Sequence, residues 1–387
     1  MTVKPTPFTL RVPDADIADL RDRLARARFP DQAPGDPWAY GTDVAYLREL
    51  TGYWRDHFDW RAAEAALNAF PQFRVPLDGV DLHYLHVPGV GPDPMPLLLL
   101  HGWPGSVFEF LEFIPRLTDP ARFGGDARDA FTVVAPSLPG YGLSFRPGQR
   151  RFGVPEIADC VAALMHDVLG HGRFGAQGGD WGAAVSSRLG YAHADRMIGI
   201  HINLMTAAGR DPSSFPKPSE EERQYLSELA HWTREETGYQ WIQGTRPQTL
   251  AFGLTDSPAG LAAWIVEKFR AWSDCDGDVE RAISRDRMLA DISLYCLPGR
   301  SALRSGPIMP ACTVRRFCPP ATPSRCLPAT RNSRAKSSNR RAPPRRGCSP
   351  TFAAGASCPR VDISRRWNSR SCSPARCAPS SGNCDDA

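Results

Sequence analysis

Between residues 97 and 204 the chain carries four short, unbroken apolar runs: Leu97 to Leu100, Phe131 to Ala135, Phe174 to Gly178 and Ile198 to Leu204. Stretches with helical spacing separate them. A strand solvated on one face alternates apolar and polar residues, whereas a parallel strand covered by helices on both faces is apolar throughout. This pattern predicts a parallel α/β sheet. Two further runs precede it, Phe73 to Leu77 and Val80 to Val87, separated only by Asp78-Gly79. That dipeptide predicts a tight hairpin, so an antiparallel pair leads into the sheet.

The flanking regions read differently. Asp14 is placed to cap a helix bearing Ile17, Leu20, Leu24 and Ala27, spaced three or four apart. Two more amphipathic stretches follow, around Tyr46 to Trp54 and Ala62 to Leu67, predicting a helical layer packed on a larger body. After Leu204, Pro212, Pro216 and Pro218 make the chain irregular, because each proline fixes φ and removes a donor. Helices are expected at Glu220 to Leu229, Glu235 to Ile242 and Pro258 to Trp272. A helical insertion after a sheet strand suits a lid over the strand ends, where open α/β sheets bind ligands.

Three glycine-rich loops fall at predicted strand ends. Gly178-Gly179-Asp180-Trp181-Gly182 has the form of a nucleophile elbow, with Asp180 where esterases carry serine. Small neighbours are required there because the nucleophile's backbone is strained and packed closely. A carboxylate nucleophile attacks carbon and forms an ester. The alternative is a glycine-rich turn in which Asp180 caps the following helix. His101-Gly102-Trp103-Pro104-Gly105 follows the first buried run. In an α/β-hydrolase this loop and the residue after the nucleophile supply the oxyanion amides, here those of Trp103 and Trp181. His101 sits at a strand end, which favours a structural role over that of a base. The third loop is Pro136-Ser137-Leu138-Pro139-Gly140-Tyr141-Gly142-Leu143-Ser144.

Taken together, these loops and Pro7-Phe8, Trp54 to Trp60, Pro71-Gln72-Phe73 and Asp256-Ser257-Pro258-Ala259-Gly260-Leu261-Ala262-Ala263 resemble signatures of the microsomal-type epoxide hydrolases. The resemblance covers roughly residues 7–295. It implies an α/β-hydrolase fold with an N-terminal helical domain (1–73), a core (74–204), a helical lid (205–272) and a return to the core (273–300). It further implies that Asp180 opens an epoxide and becomes a glycol ester, with a vicinal diol as product. Two lid-side tyrosines hydrogen-bond the epoxide oxygen in that family, and Thr237-Gly238-Tyr239 matches the first. Taken alone, Tyr239 reads more readily as lid packing with a wetted hydroxyl than as a catalytic group. No cofactor and no metal are implied. The expected partners are a small apolar epoxide and water, with neither nucleic acid nor membrane, and a homodimer is left open. A detoxifying hydrolase acting on ether bonds is the expected role. A chain without a run of about 18 apolar residues, and with no apolar leader in its first residues, is expected to be cytoplasmic.

The last 87 residues break every one of these patterns. Residues 1–300 hold 30 Lys+Arg against 39 Asp+Glu, a net of −9, whereas residues 301–387 hold 16 against 3, a net of +13. Of these 87 residues, 49 are Arg, Ser, Pro or Cys, and helix or strand periodicity disappears. We read them as non-native and disordered. Nucleic-acid binding would suit the charge, but interleaved aromatics are lacking. Eight of the 11 cysteines lie here, none of them in a C-x₂-C pair and none accompanied by histidine, which argues against zinc. His231 is the last histidine in the chain, yet the family's mechanism needs a late histidine, an acidic partner and a second tyrosine.

A shifted reading frame accounts for all of this. Hidden codons can be built from the last letter of one residue's codon and the first two of the next. Across Arg360 to Asn368 they permit Gly-Gly-His-Phe-Ala-Pro-Leu-Glu, which resembles the family's catalytic-histidine segment. The hidden position between Asp362 and Ile363 can only be His or Tyr, and Trp367-Asn368 forces Glu. Onward to Ser381 the same frame permits an amphipathic helix. Across Asn332 to Ser337 it permits Phe-Pro-Gly-Glu-Ile, which resembles the acid segment, and across Pro307 to Met309 it permits Tyr-Tyr. These matches come in the family's order and follow from one lost nucleotide, or two gained, between about Leu294 and Leu303. The chain as written is then expected to stop at the ester. An aspartate-nucleophile dehalogenase of the same fold and a non-catalytic binding protein are the alternatives.

Overall fold

The computed structural model describes residues 4–145, 148–205 and 218–297. The expectations for Pro212, Pro216 and everything after Leu297, the tail and its hidden segments included, lie outside the described residues.

Three helices form the N-terminal layer: α1 (Asp14–Ala25), α2 (Val44–Asp56) and α3 (Trp60–Asn68). Asp43 caps α2 by accepting from the Tyr46 amide, and Asp59 caps α3 through the Arg61 amide. Asp14 does not cap α1 as expected. The chain enters through Pro13, which has no side chain for the task, and Asp14 is instead the first helical residue, ion-paired with Arg61. The segment is also not purely helical, because β1 (Thr6–Phe8) runs antiparallel to β2 (Gln72–Leu77). Leu20, Leu24, Leu50, Trp54 and Leu67 are buried, as their spacing requires.

The hairpin forms as expected. β2 pairs antiparallel with β3 (Val80–Val87), and Asp78 and Gly79 turn with φ of 48° and 80°. Both central residues of that tight turn take positive φ, which Asp and Gly tolerate best. The apolar runs become β4 (Met95–Leu100), β5 (Phe131–Pro136), β6 (Phe174–Gly178) and β7 (Met197–Ile202), of which β7, at the sheet's edge, is exposed from Ile198 to His201 rather than buried on both faces. The seven-stranded sheet has the order β1-β2-β3-β5-β4-β6-β7, antiparallel up to β5 and parallel from β5 to β7. The chain leaves β4 to one side to make β5 and returns on the other to make β6. The ends of β4 and β6 therefore flank the crevice where such sheets place ligands.

Helices α4 (Ile114–Thr118), α5 (Val154–Ala163) and α6 (Trp181–Ala192) join these strands. The lid comprises α7 (Glu220–Glu236), α8 (Gly238–Thr245), α9 (Pro247–Asp256) and α10 (Pro258–Ala271). Sequence spacing missed α9 and ended α7 too early. A Ser219–Glu222 capping box starts α7, and none of its residues is fully buried, so its apolar pattern is weak. The last described element, α11 (Arg285–Cys296), is buried along Met288 to Tyr295. It is tied to the N-terminal layer by the Trp54 indole, which donates to the Ser293 hydroxyl at 3.0 Å. Among the described residues no helix is long and apolar enough to cross a membrane.

Candidate active site

The parallel register pairs Leu100 with Gly178, so β4 and β6 end side by side and their two glycine loops emerge together. This closeness is possible only without side chains. A Cβ on Gly182 would lie 2.0 Å from the Leu100 carbonyl oxygen, and one on Gly178 would lie 2.2 Å from the Gly182 backbone. Between them Asp180 is held at φ 50° and ψ −124°, a conformation that L side chains rarely adopt and that clusters at functional sites. Asp180 occupies the N-cap position of α6, but its side chain makes no capping bond there. It turns instead across the crevice, where the Trp103 amide donates to Asp180 Oδ1 at 2.8 Å.

Asp180 is therefore not a helix cap, because a cap would have kept the carboxylate on its own helix. The geometry also divides the labour of the two carboxylate oxygens. Oδ1 is anchored by an amide of the first loop. The Trp181 amide belongs to the first turn of α6, where amides have no intrahelical acceptor and the helix dipole favours negative charge. A Cβ at Gly102 would sit 2.2 Å from Asp180 Oδ1, so the loop backbone packs directly on the carboxylate.

His101 is fully buried beneath these loops. Its Nε2 lies 3.1 Å from the Leu138 amide, which can only donate, so Nδ1 carries the hydrogen and faces the Gly102 carbonyl at 3.2 Å. Both nitrogens thus brace the first and third glycine loops, in keeping with a structural role. Four of the other histidines bond elsewhere. His83 is locked between Ser137 and Gln72, His166 and His193 pair with Asp167 and Asp159, and His231 sits on exposed α7 beside Arg234.

Tyr239, on α8, comes down over the first loop. Its ring stacks on the Trp103 indole with centroids 4.9 Å apart and planes at 15°, and Trp272 closes the side at 5.2 Å. The structure therefore brings Asp180, Trp103 and Tyr239 into one continuous contact chain, with Trp181 adjoining Asp180. The Tyr239 hydroxyl accepts from the Gln240 amide at 2.9 Å. The wall is aromatic, and the rings of Trp232, Trp272, Tyr239 and Trp103 follow one another in contact.

Sequence reasoning missed two supporting clusters. On α10, Lys268 is buried, with Nζ 3.2 Å from Glu236 and 2.8 Å from Glu267. The signal was available: residues 261, 265 and 268 fall on one helical face, and a lysine there interrupts an apolar stripe. Beneath the first loop, Tyr295 donates to the Gly105 carbonyl at 2.8 Å. Burial pushes the Tyr295 hydroxyl well above its ordinary range, so it remains a donor. Asp291, one turn earlier, is fully buried, and burial together with the nearby Glu109 charge raises its carboxyl well above the usual range, against a smaller lowering by Ser106. The sequence carried a signal here too, since Asp291 falls on one helical face with Met288, Leu294 and Tyr295.

A parallel sheet with an aspartate at a strained strand-to-helix turn, an amide-bearing loop beside it and helices over the strand ends has the architecture of an α/β-hydrolase. Comparison with known proteins agrees. Residues 5–110 match the family described as epoxide hydrolase N terminus, and residues 95–240 match the alpha/beta hydrolase fold. A putative epoxide hydrolase of Stigmatella aurantiaca is 45% identical over 303 residues, spanning 77% of this chain and 67% of that protein. Rabbit (Oryctolagus cuniculus) epoxide hydrolase 1 is 35% identical over 76% of this chain and 70% of its own length. Among solved structures, juvenile hormone epoxide hydrolase from the silkworm Bombyx mori superposes with a TM-score of 0.65 at 31% identity, covering 78% of this chain and 74% of the other. Aspergillus niger epoxide hydrolase gives 0.66 at 32%, covering 79% and 77%. The chain belongs to the epoxide hydrolase family.

Proposed function

We propose that this chain opens a small apolar epoxide by ester formation at Asp180 and, as written, halts there. The observation that carries the first half is the 2.8 Å bond from the Trp103 amide to Asp180 Oδ1 at a strained elbow. With Oδ1 anchored, Oδ2 is the attacking atom. The Oδ2–carbon bond forms as the epoxide carbon–oxygen bond breaks, and the oxygen takes a proton from the Tyr239 hydroxyl. Oδ1 becomes the ester carbonyl oxygen and already lies against the Trp103 amide, with the Trp181 amide as the second donor when negative charge develops on it. The aromatic wall favours an apolar substituent on the substrate. The N-terminal helical match favours epoxides over the halides of aspartate-nucleophile dehalogenases.

Hydrolysis of the ester requires a base to activate water. His101 is committed to backbone, and the remaining histidines whose bonds are described above are engaged away from the elbow. The segments that would supply the family's histidine and acid survive only as hidden codons after residue 300.

The test is mass spectrometry of the Asp180 peptide after incubation with 1,2-epoxyhexane. A single adduct, with diol never exceeding one equivalent, is expected. Inserting one nucleotide between codons 294 and 303 should restore the hidden frame and convert the stalled ester into multiple turnovers. Diol beyond one equivalent from the chain as written would sink the proposal.

A further inference from the structure

We propose that Lys268 is a positioning residue for ring opening, its ammonium held beside the Tyr239 ring so that the phenolic proton passes readily to the epoxide oxygen. The inference rests on the reading of Tyr239 as the proton donor. Lys268 Nζ lies 5.5 Å from the centroid of the Tyr239 ring and 5.3 Å from that of Trp272, both within range of a cation–π attraction. Its carboxylate partners fix it there. Glu236 Oε2 takes Nζ at 3.2 Å and the Trp272 indole N–H at 3.1 Å, so one oxygen locks the cation and the neighbouring ring together. Glu267 completes the set at 2.8 Å.

Lys268 extends from α10 while Glu236 and Tyr239 belong to α7 and α8. The cluster therefore clamps α7 and α10 around the Tyr239 ring. A buried ammonium is costly, and a hydrophobic side chain on this face of α10 would pack without that cost. The distinctive property of a cation here is its field. When Oδ2 of Asp180 bonds to the epoxide carbon, the carbon–oxygen pair moves to the ring oxygen, and that oxygen takes the proton from Tyr239. A phenolate is left, and the ammonium 5.5 Å from its ring stabilises the developing charge in a site shielded by tryptophans. Only a leaving oxygen needs this help. An alkyl bromide alkylates the same carboxylate while its bonding pair departs with bromide, and no proton moves.

The experiment compares rates of Asp180 ester formation in the full chain with 1,2-epoxyhexane and with 1-bromohexane, which carry similar apolar tails. Lys268→Met should lower the epoxide-to-bromide rate ratio by about ten-fold, and Lys268→Arg should recover most of it, because it keeps the charge. Tyr239→Phe should lower the ratio at least as far. An unchanged ratio in Lys268→Met beside a lowered one in Tyr239→Phe overturns the role of Lys268 and leaves the proton donor in place. An unchanged ratio in Tyr239→Phe, or a parent chain that forms no ester with either reagent, overturns both. Equal loss of the two reactions in Lys268→Met assigns the lysine to lid packing alone and also overturns the proposal.

Discussion

The two ends of the sheet are finished to different standards. At the β1 end, the hairpin, the added strand and the helical layer are joined by long-range bonds. The Leu10 amide donates to Asn68, the Val12 amide to Glu64, and His83 lies between Gln72 and Ser137. At the β7 end, Ile198 and Ile200 remain 44% and 43% exposed, and among the described residues no strand pairs with the outer edge. The elbow lies between these ends, one strand from the open edge. On the proposed mechanism, the ester forms between the elbow and the helices that carry Tyr239.

The sharpest way to break that comparison is to damage the finished side at its closest contact. Gly182→Ala places a methyl group 2.0 Å from the Leu100 carbonyl oxygen, backbone against backbone, with no flexible atom to yield. We expect loss of about 3 kcal/mol or more, in the range of severe overpacking, and no Asp180 adduct. The checks are urea denaturation and the adduct assay. A variant that retains both would mean that the β4–β6 junction is looser than its glycines indicate.

The open end should respond in a different currency. A bare apolar edge pairs with other edges, and natural sheets blunt such edges with charge. Ile198→Lys with Ile200→Lys should raise the concentration at which the chain self-associates by roughly a hundred-fold while leaving adduct formation intact. Light scattering against concentration measures it. Unchanged association would place the sticky surface elsewhere and weaken the contrast between the ends.

How far each end could be read from the sequence follows the same division. The buried runs of β4 to β6 were legible because strands covered on both faces leave no polar residues to confuse the period. The elbow was legible because Gly178 and Gly182 have a steric reason to be glycine on either side of Asp180. Strand β1 was not, since three residues starting at Thr6 carry no period, and their pairing depends on β2 more than 60 residues away. The capping role expected of Asp14 failed because Pro13 had already set the entry to α1, and Arg61, distant in sequence, claimed the carboxylate. Tyr239 could be found only through a family resemblance. Its partner Lys268 announced itself by charge on an apolar face, but which ring it would meet is decided by how α10 folds back on α8.

The smallest effect concerns the finished end, and its sign can be worked out. Burial is the main cause that pulls the His83 imidazole down to about 3, with Arg74 and His101 adding to it. A histidine that resists protonation in the fold but accepts it once unfolded contributes stability above its unfolded value near 6.5. That contribution is lost as pH falls from there towards 3. His86 and His171, also lowered chiefly by burial, act in the same direction. Asp291 acts oppositely, since a carboxyl raised by burial favours the fold at low pH and costs stability as it ionises on the way up. His83→Gln keeps a neutral hydrogen-bonding side chain between Gln72 and Ser137 but cannot titrate. Its urea midpoint should fall less steeply than the parent's below pH 6.5, with a relative gain of about 1 kcal/mol by pH 5.5. Parallel pH profiles for the two proteins would mean that His83 titrates freely, and that the β2–β3 end opens to water as readily as the β7 edge.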